Sequence, residues 1–195
     1  MRQYFLYIGL LLLTVSCQKE YEYELSKSIF IEDPYAPGLP IYSEWGYNTF
    51  GAYIDRIPFR SDDNVFPAKI YVNHDTVHFL LQGVESYNSV SLKFSFKGFS
   101  PLNEFELIQL NNVTINLKDS TSKVVLYRNG ITSLLPIIEG ELVFKKASKL
   151  YIDNQLHKSI LCGTFRLKTI INNEPISIYN GRFDVSIGYE NFFRF

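Results

Sequence analysis

His74 and His78 stand four residues apart with Asp75 between them, a grouping that invites a metal reading. A zinc site needs three or four converging ligands. No third ligand stands nearby, so the group reads as a turn followed by a surface histidine. Ser61-Asp62-Asp63-Asn64 offers oxygens of the kind calcium takes, but without a full ligand loop it reads as solvated. No metal ligand and no cofactor is therefore expected. Glu104 and Glu106 are close in sequence, yet acid–base work needs two carboxyl groups facing one cleft. Cys162 has His157 five residues before it as a weak base, and an isolated cysteine in a strand ordinarily packs as a small apolar residue. The sequence has no glycine-rich phosphate loop after a strand, no Gly-x-Ser-x-Gly and no His-Glu-x-x-His. No catalytic residue is assigned, and a hydrolase is the remotest reading.

The other cysteine, Cys17, sits in a different setting. Arg2 precedes an apolar run from Tyr4 to Val15, and small Ser16 stands directly before Cys17. A charged start, a short apolar core and a small residue at the cut make a secretory signal. The run is shorter than the ~20 residues a spanning helix needs. Leu13-Thr14-Val15-Ser16-Cys17 resembles the bacterial lipoprotein signal, although Thr14 stands where that family favours a larger aliphatic residue. The resemblance implies cleavage after residue 16 and lipid on the Cys17 thiol. Several acyl chains, at ~0.8 kcal/mol per buried methylene, make a stable anchor where one is marginal. Gln18 in the second mature position resembles the outer-membrane class. Gln18-Lys19-Glu20, followed by Glu22 and Glu24, resembles the export tag of surface lipoproteins in Bacteroidetes. That implies a lipid-anchored protein on the outer membrane of a Gram-negative cell, at its surface. The same residues also read as a solvated charged tether, and the two readings are compatible.

Removing 16 residues from 195 leaves 179, enough for one domain with a sizeable core. Without Arg2, 18 of the 19 basic residues remain against 20 acidic ones. No basic run occurs, so nucleic acid is not expected as a partner. The 16% aromatic content exceeds what a disordered chain carries. With Cys17 taken by lipid, Cys162 has no disulfide partner, and the fold must rest on its core. Residues 17–43 are charged and then proline-rich, from Asp33-Pro34 to Pro40. They read as a lipidated tether, partly packed near Ile41 and Trp45. Residues 44–195 form the domain.

Within that domain the two-residue period dominates. Val90, Leu92, Phe94 and Phe96 alternate with Ser89, Ser91, Lys93, Ser95 and Lys97. Val113, Ile115 and Leu117 alternate likewise, as do Phe183, Val185 and Ile187. Such alternation puts one face on a core and one in water. Further strands are predicted over 48–54, 68–72, 76–82, 123–128, 141–145, 160–171 and 176–179. Turns are predicted at Asn73-His74-Asp75, Asn129-Gly130, Glu139-Gly140, Asn172-Asn173 and Asn180-Gly181. Between Pro101 and Leu110 the spacing fits helix and strand equally. About ten antiparallel strands without long helices imply an all-β fold, a β-sandwich or a lipocalin-like β-barrel. Arg182 and Asp184 share a strand face, where cross-strand ion pairing is the ordinary outcome.

Asn48-Thr49-Phe50-Gly51, Gly163-Thr164-Phe165 and Gly181-Arg182-Phe183-Asp184 resemble strands of a group of uncharacterised Bacteroidetes surface lipoproteins. Here Arg56 stands where that group has a small turn residue after Asp55, and Cys162 where serine is usual. The resemblance implies a fold and an address but no activity. Asp75-Thr76-Val77 and Asp119-Ser120-Thr121 resemble the Bacteroidetes O-glycosylation acceptor at Thr76 and Ser120, although turn chemistry also explains the second. Phe193 and terminal Phe195 resemble the closing strand of an outer-membrane barrel, but Lys93, Lys97, Lys118 and Arg166 are out of place on a lipid-facing wall. The expected function is a binding module for an extracellular glycan or protein, attached to membrane lipid through Cys17. A lipocalin-like carrier of a small apolar ligand is the alternative.

Overall fold

The structure, a computed structural model, describes residues 27–63 and 66–195. The lipid site Cys17, the tag residues Gln18, Lys19 and Glu20, and Asn64 of the oxygen-rich loop lie outside the described residues. The chain forms β1 (Thr49–Ile54), β2 (Ile57–Ser61), β3 (Ala68–Asn73), β4 (Thr76–Glu85), β5 (Asn88–Lys97), β6 (Val113–Asn116) and β7 (Ser122–Arg128). These are followed by β8 (Ile131–Leu135), β9 (Ile137–Ile152), β10 (Gln155–Ile171), β11 (Glu174–Ile187) and β12 (Phe192–Arg194). No helix among the described residues is long and apolar enough to cross a membrane.

The strand alternation predicts the core directly. On β4 the buried positions include Val77, Phe79 and Leu81, and on β5 they are Val90, Leu92, Phe94 and Phe96, with Ser95 buried as well from the other side. The strands form one sheet in the order β6-β9-β10-β11-β1-β2-β4-β5-β7-β8, with β3 on β4 and β12 on β3. All pairs are antiparallel except β12 with β3. The sheet is not closed into a barrel and folds over itself as a β-sandwich. Ring contacts join its two layers: Phe79 of β4 meets Phe183 of β11 at 5.1 Å, and Phe94 of β5 meets Phe165 of β10 at 5.2 Å. Phe144 of β9 touches both Phe79 and Phe96. Each fully buried phenylalanine contributes ~1.5–3 kcal/mol relative to exposure.

Among the described residues the strands number twelve rather than about ten, and three are long: 16 residues in β9, 17 in β10 and 14 in β11. Glu139-Gly140 and Asn180-Gly181 are not turns. They lie inside β9 and β11, where the ladder shifts register and continues. Asn180 takes φ +52 there, as a bulge residue can. Gly163 shows why glycine is needed in β10, since a Cβ on it would sit 2.0 Å from the Val143 carbonyl oxygen. The turns at His74-Asp75, Asn129-Gly130 and Asn172-Asn173 form as predicted. Unpredicted hairpins arise at Asp55-Arg56, Ser86-Tyr87 and Asp153-Asn154, each with both residues at positive φ, the type I′ geometry that suits twisted strands. The open choice over 101–110 resolves to a 3₁₀ helix, Glu104–Leu110, capped by the Asn103 side chain.

Two expectations change at the N-terminal side. The described part of the proline-rich tether lies on the domain. Leu39 is fully buried, Ile41 pairs with Ile31, and Asp33 forms an ion pair with Arg182. Pro40 seats against Gly51, where a Cβ would fall 2.5 Å from its ring. Trp45, expected to pack, is 75% exposed. Arg182 and Asp184 do not form a cross-strand ion pair. Arg182 reaches Asp33 and the Pro40 carbonyl, and Asp184 takes other partners. The barrel-closing reading of the C-terminus fails as well, since β12 is a short parallel strand on β3.

Candidate functional site

One outer face of the sandwich concentrates unsatisfied chemistry. Register aligns the outward residues of β3, β4, β5 and β7 into rows. Tyr71, His78, Ser95 and Lys123 form one row, and Lys69, Leu80, Lys93 and Val125 the next. Gln82, Ser91 and Tyr127 follow, and Asn73, Thr76 and Lys97 lie at the other end. No strand position among these carries a carboxylate. The face holds two adjoining hollows that share His78 and Lys93. One, of about 420 Å³, is lined by Tyr71, Gln82, Ser91 and Tyr127. The other, of about 530 Å³, is lined by Thr76, Ser95, Lys97, Ser120 and Lys123.

The electrostatics of the two layers differ. On the β9–β10 face Arg166 pairs with Glu141 at 2.9 Å and Lys168 with Glu139 at 2.7 Å, while Lys145 lies over the Tyr42 ring at 4.8 Å. On the β3–β4–β5–β7 face, Lys69, Lys93 and Lys123 enter none of the ion pairs among the described residues, and Lys97 approaches Asp75 only to 3.8 Å. Lys93 lies over the Tyr127 ring at 5.5 Å. His78 Nδ1 hydrogen-bonds with Ser95 Oγ at 2.8 Å. Burial, and then the charge of Lys93, hold this imidazole below its ordinary pKa. Gln82 Oε1 has no hydrogen-bond partner. The His78–Ser95 contact sets a base beside a hydroxyl, the pairing nucleophilic catalysis uses, but Ser95 is buried at 7% exposure.

The structure places the other sequence candidates as follows. His74, Asp75 and His78 line the larger hollow, but no group of metal-holding side chains forms among the described residues. Thr76 and Ser120, the candidate glycosylation positions, line that hollow too. Glu104 and Glu106 sit on the 3₁₀ helix, where Glu106 accepts from the Leu102 amide at 2.8 Å. Cys162 is fully buried and donates its S–H to Asp184 rather than meeting His157. Burial and the Asp184 charge push its thiol pKa up, so it is an inert thiol. The alternation of Lys93 and Lys97 was readable in the sequence. That Lys69 and Lys123 join them depends on strand order, which was not.

Two buried carboxylates lie outside the trough. Asp184 is 1% exposed and gathers donors from the N-terminal segment. Ser43 Oγ donates to it, as do the amides of Trp45 at 3.2 Å, Gly46 at 2.7 Å and Tyr47 at 3.1 Å. Glu85, at the end of β4, pairs through Oε2 with Arg128 at 2.6 Å, while its Oε1 has no partner. Burial raises its pKa above the ordinary 4.5, against the pull of Arg128. The folded domain thus binds this proton more tightly than the unfolded chain. That stabilisation is fully present below pH 4.5 and is lost as pH rises through the folded value. Relative to Glu85→Gln, wild-type stability should fall as pH is raised across this range, as measured by urea unfolding. A difference that stays flat with pH, or that shifts in favour of the wild type as pH rises, would contradict it.

Comparison of the chain with protein families, with curated proteins and with solved structures finds no match.

Proposed function

We propose that this chain is a lipoprotein of the Bacteroidetes type, cut after residue 16, lipidated at Cys17 and displayed on the outer-membrane surface, where its β domain is a binding module. The observation that carries the binding role is the set of lysines on the outer face of β3, β4, β5 and β7, of which Lys69, Lys93 and Lys123 enter none of the ion pairs among the described residues. On a chain of net charge −1, a surface where four lysines outnumber the Asp75 carboxylate serves partners rather than the fold. The address rests on Ser16-Cys17 and on Gln18-Lys19-Glu20.

The carrier reading has less behind it. A carrier keeps its ligand inside, and here Phe79, Phe94, Phe144 and Phe183 occupy the interior at 0–1% exposure. A hydrolase has less still. The one carboxylate that meets a hydroxyl and a thiol, Asp184, is buried with both of them.

The address is tested in cells. Labelled palmitate should enter the wild type and not Cys17→Ala. Protease added to intact cells should remove the domain. Replacing Lys19, Glu20, Glu22 and Glu24 with alanine should leave palmitate incorporation unchanged while protecting the domain from protease. Equal labelling of Cys17→Ala would end the lipoprotein reading. Protection of the wild type until the outer membrane is broken would turn the domain inward.

A further inference from the structure

We infer that the trough takes a polyanionic polysaccharide, an extended sugar chain bearing carboxylate or sulfate groups. This rests on the reading of that face as the binding surface and names its ligand class. The cations do not converge on a point, as a single phosphate would need. Lys97, Lys123 and Lys93 follow one another as diagonal neighbours across β5 and β7, ~7–8 Å apart by sheet geometry. Lys69 continues the track two strands away, across Leu80 from Lys93. A row of spaced ammonium groups matches a row of spaced anions.

Between the cations lie neutral hydrogen-bonding groups of His78, Gln82, Ser91 and Ser95. These suit sugar hydroxyls. They are recessed in hollows of about 420 and 530 Å³, which a chain can enter and a flat bilayer surface cannot. Nucleic acid is disfavoured because bases need free aromatic faces. The Tyr127 ring lies under Lys93, and the Tyr71 ring is stacked on Phe193 at 5.1 Å. An extended peptide would seek a strand edge, and the trough is a sheet face.

The full chain, purified in detergent, is titrated with polygalacturonate and chondroitin sulfate, with dextran as the neutral polymer. Binding should appear for the two anionic polymers and weaken steeply with added salt. Lys93→Glu with Lys123→Glu should weaken it at least tenfold while leaving the melting temperature within a few degrees. Anionic binding that survives the double reversal would overturn the proposal. So would dextran binding that the reversal abolishes, although the surface assignment would then stand. A preference for oligo-dT over both anionic polymers would also overturn it. Phosphatidylserine vesicles are compared with phosphatidylcholine vesicles, so that lipid on Cys17 contributes to both. Selectivity for the former, stronger than for either polymer, would make the partner a membrane. If nothing binds while palmitate labelling and surface proteolysis succeed, the ligand class fails and the address survives.

Discussion

Asp184→Ala is expected to free the N-terminal segment docked on the domain and to cost several kcal/mol of stability. The carboxylate lies on β11 with 1% exposure, and none of its hydrogen-bond donors among the described residues is a cation. Its charge is held instead by backbone amides of residues 45–47, by the Ser43 hydroxyl and by the Cys162 thiol, an arrangement of the nest kind. Hydrogen bonds to a charged group contribute about 1.5–3 kcal/mol each, and orphaned donors add their own desolvation cost. Alanine removes every acceptor at once. Asparagine keeps one oxygen but turns an N–H₂ toward the donors, so Asp184→Asn should fall between alanine and wild type. Amide exchange at Trp45, Gly46 and Tyr47 is the direct measurement. Those amides should lose protection in Asp184→Ala before the β4–β5 core does. Unchanged exchange at all three would refute the assignment.

The consequence reaches the membrane. From Ile29, whose amide bonds the Tyr47 carbonyl, through Leu39 and Ser43, the chain is docked. If Cys17 carries lipid, only the residues between it and Ile29 separate domain from bilayer, roughly 40 Å at full extension. Releasing the docked segment in Asp184→Ala would lengthen that reach. With lipid on Cys17, Asp184 would set how closely the anchor holds that face.

How far the sequence foretold this arrangement varied with the kind of interaction. Strand alternation named the core face of β5 correctly, because a half-buried strand writes its two faces into neighbouring residues. Turn chemistry worked where asparagine or glycine carried the positive φ, as at Asn129-Gly130. It failed at Asp55-Arg56 and Ser86-Tyr87, where arginine at φ +74 and tyrosine at φ +70 occupy a position glycine usually fills. At those hairpins the pairing of the flanking strands overrides local preference. It failed in the opposite sense at Asn180-Gly181, where a bulge uses turn residues without turning the chain. The Asp184 site was not legible at all. Its donors are backbone amides about 140 positions away in sequence, and an amide has no side chain to read. The trough was half legible. Lys93 and Lys97 showed as outward, but that Lys69 and Lys123 share their face is a property of the β3-β4-β5-β7 order.

Adjacent residues on β5 separate what holds the fold from what meets a partner. Phe94→Asp is expected to unfold the domain, and Lys93→Asp to leave it folded. Phe94 is fully buried, edge-on to Phe165 in the opposite layer and beside Phe79 on the neighbouring strand. Truncating such a ring costs ~3–5 kcal/mol, and an unpaired carboxylate in its place adds a desolvation cost the core cannot offset. Total domain stabilities run to about 5–15 kcal/mol, so the folded state should be lost or nearly so. Lys93 sits one residue away on the water-facing side. Its substitution sacrifices a cation–π contact with Tyr127, worth about 0.5–1 kcal/mol at an exposed site. Thermal melts followed by circular dichroism should show a β spectrum and a cooperative transition for Lys93→Asp, and neither for Phe94→Asp. Similar melting for both would mean that β5 does not present these residues to opposite sides. In that case Lys93 would not face the trough at all, and the lysine track would lose its central member.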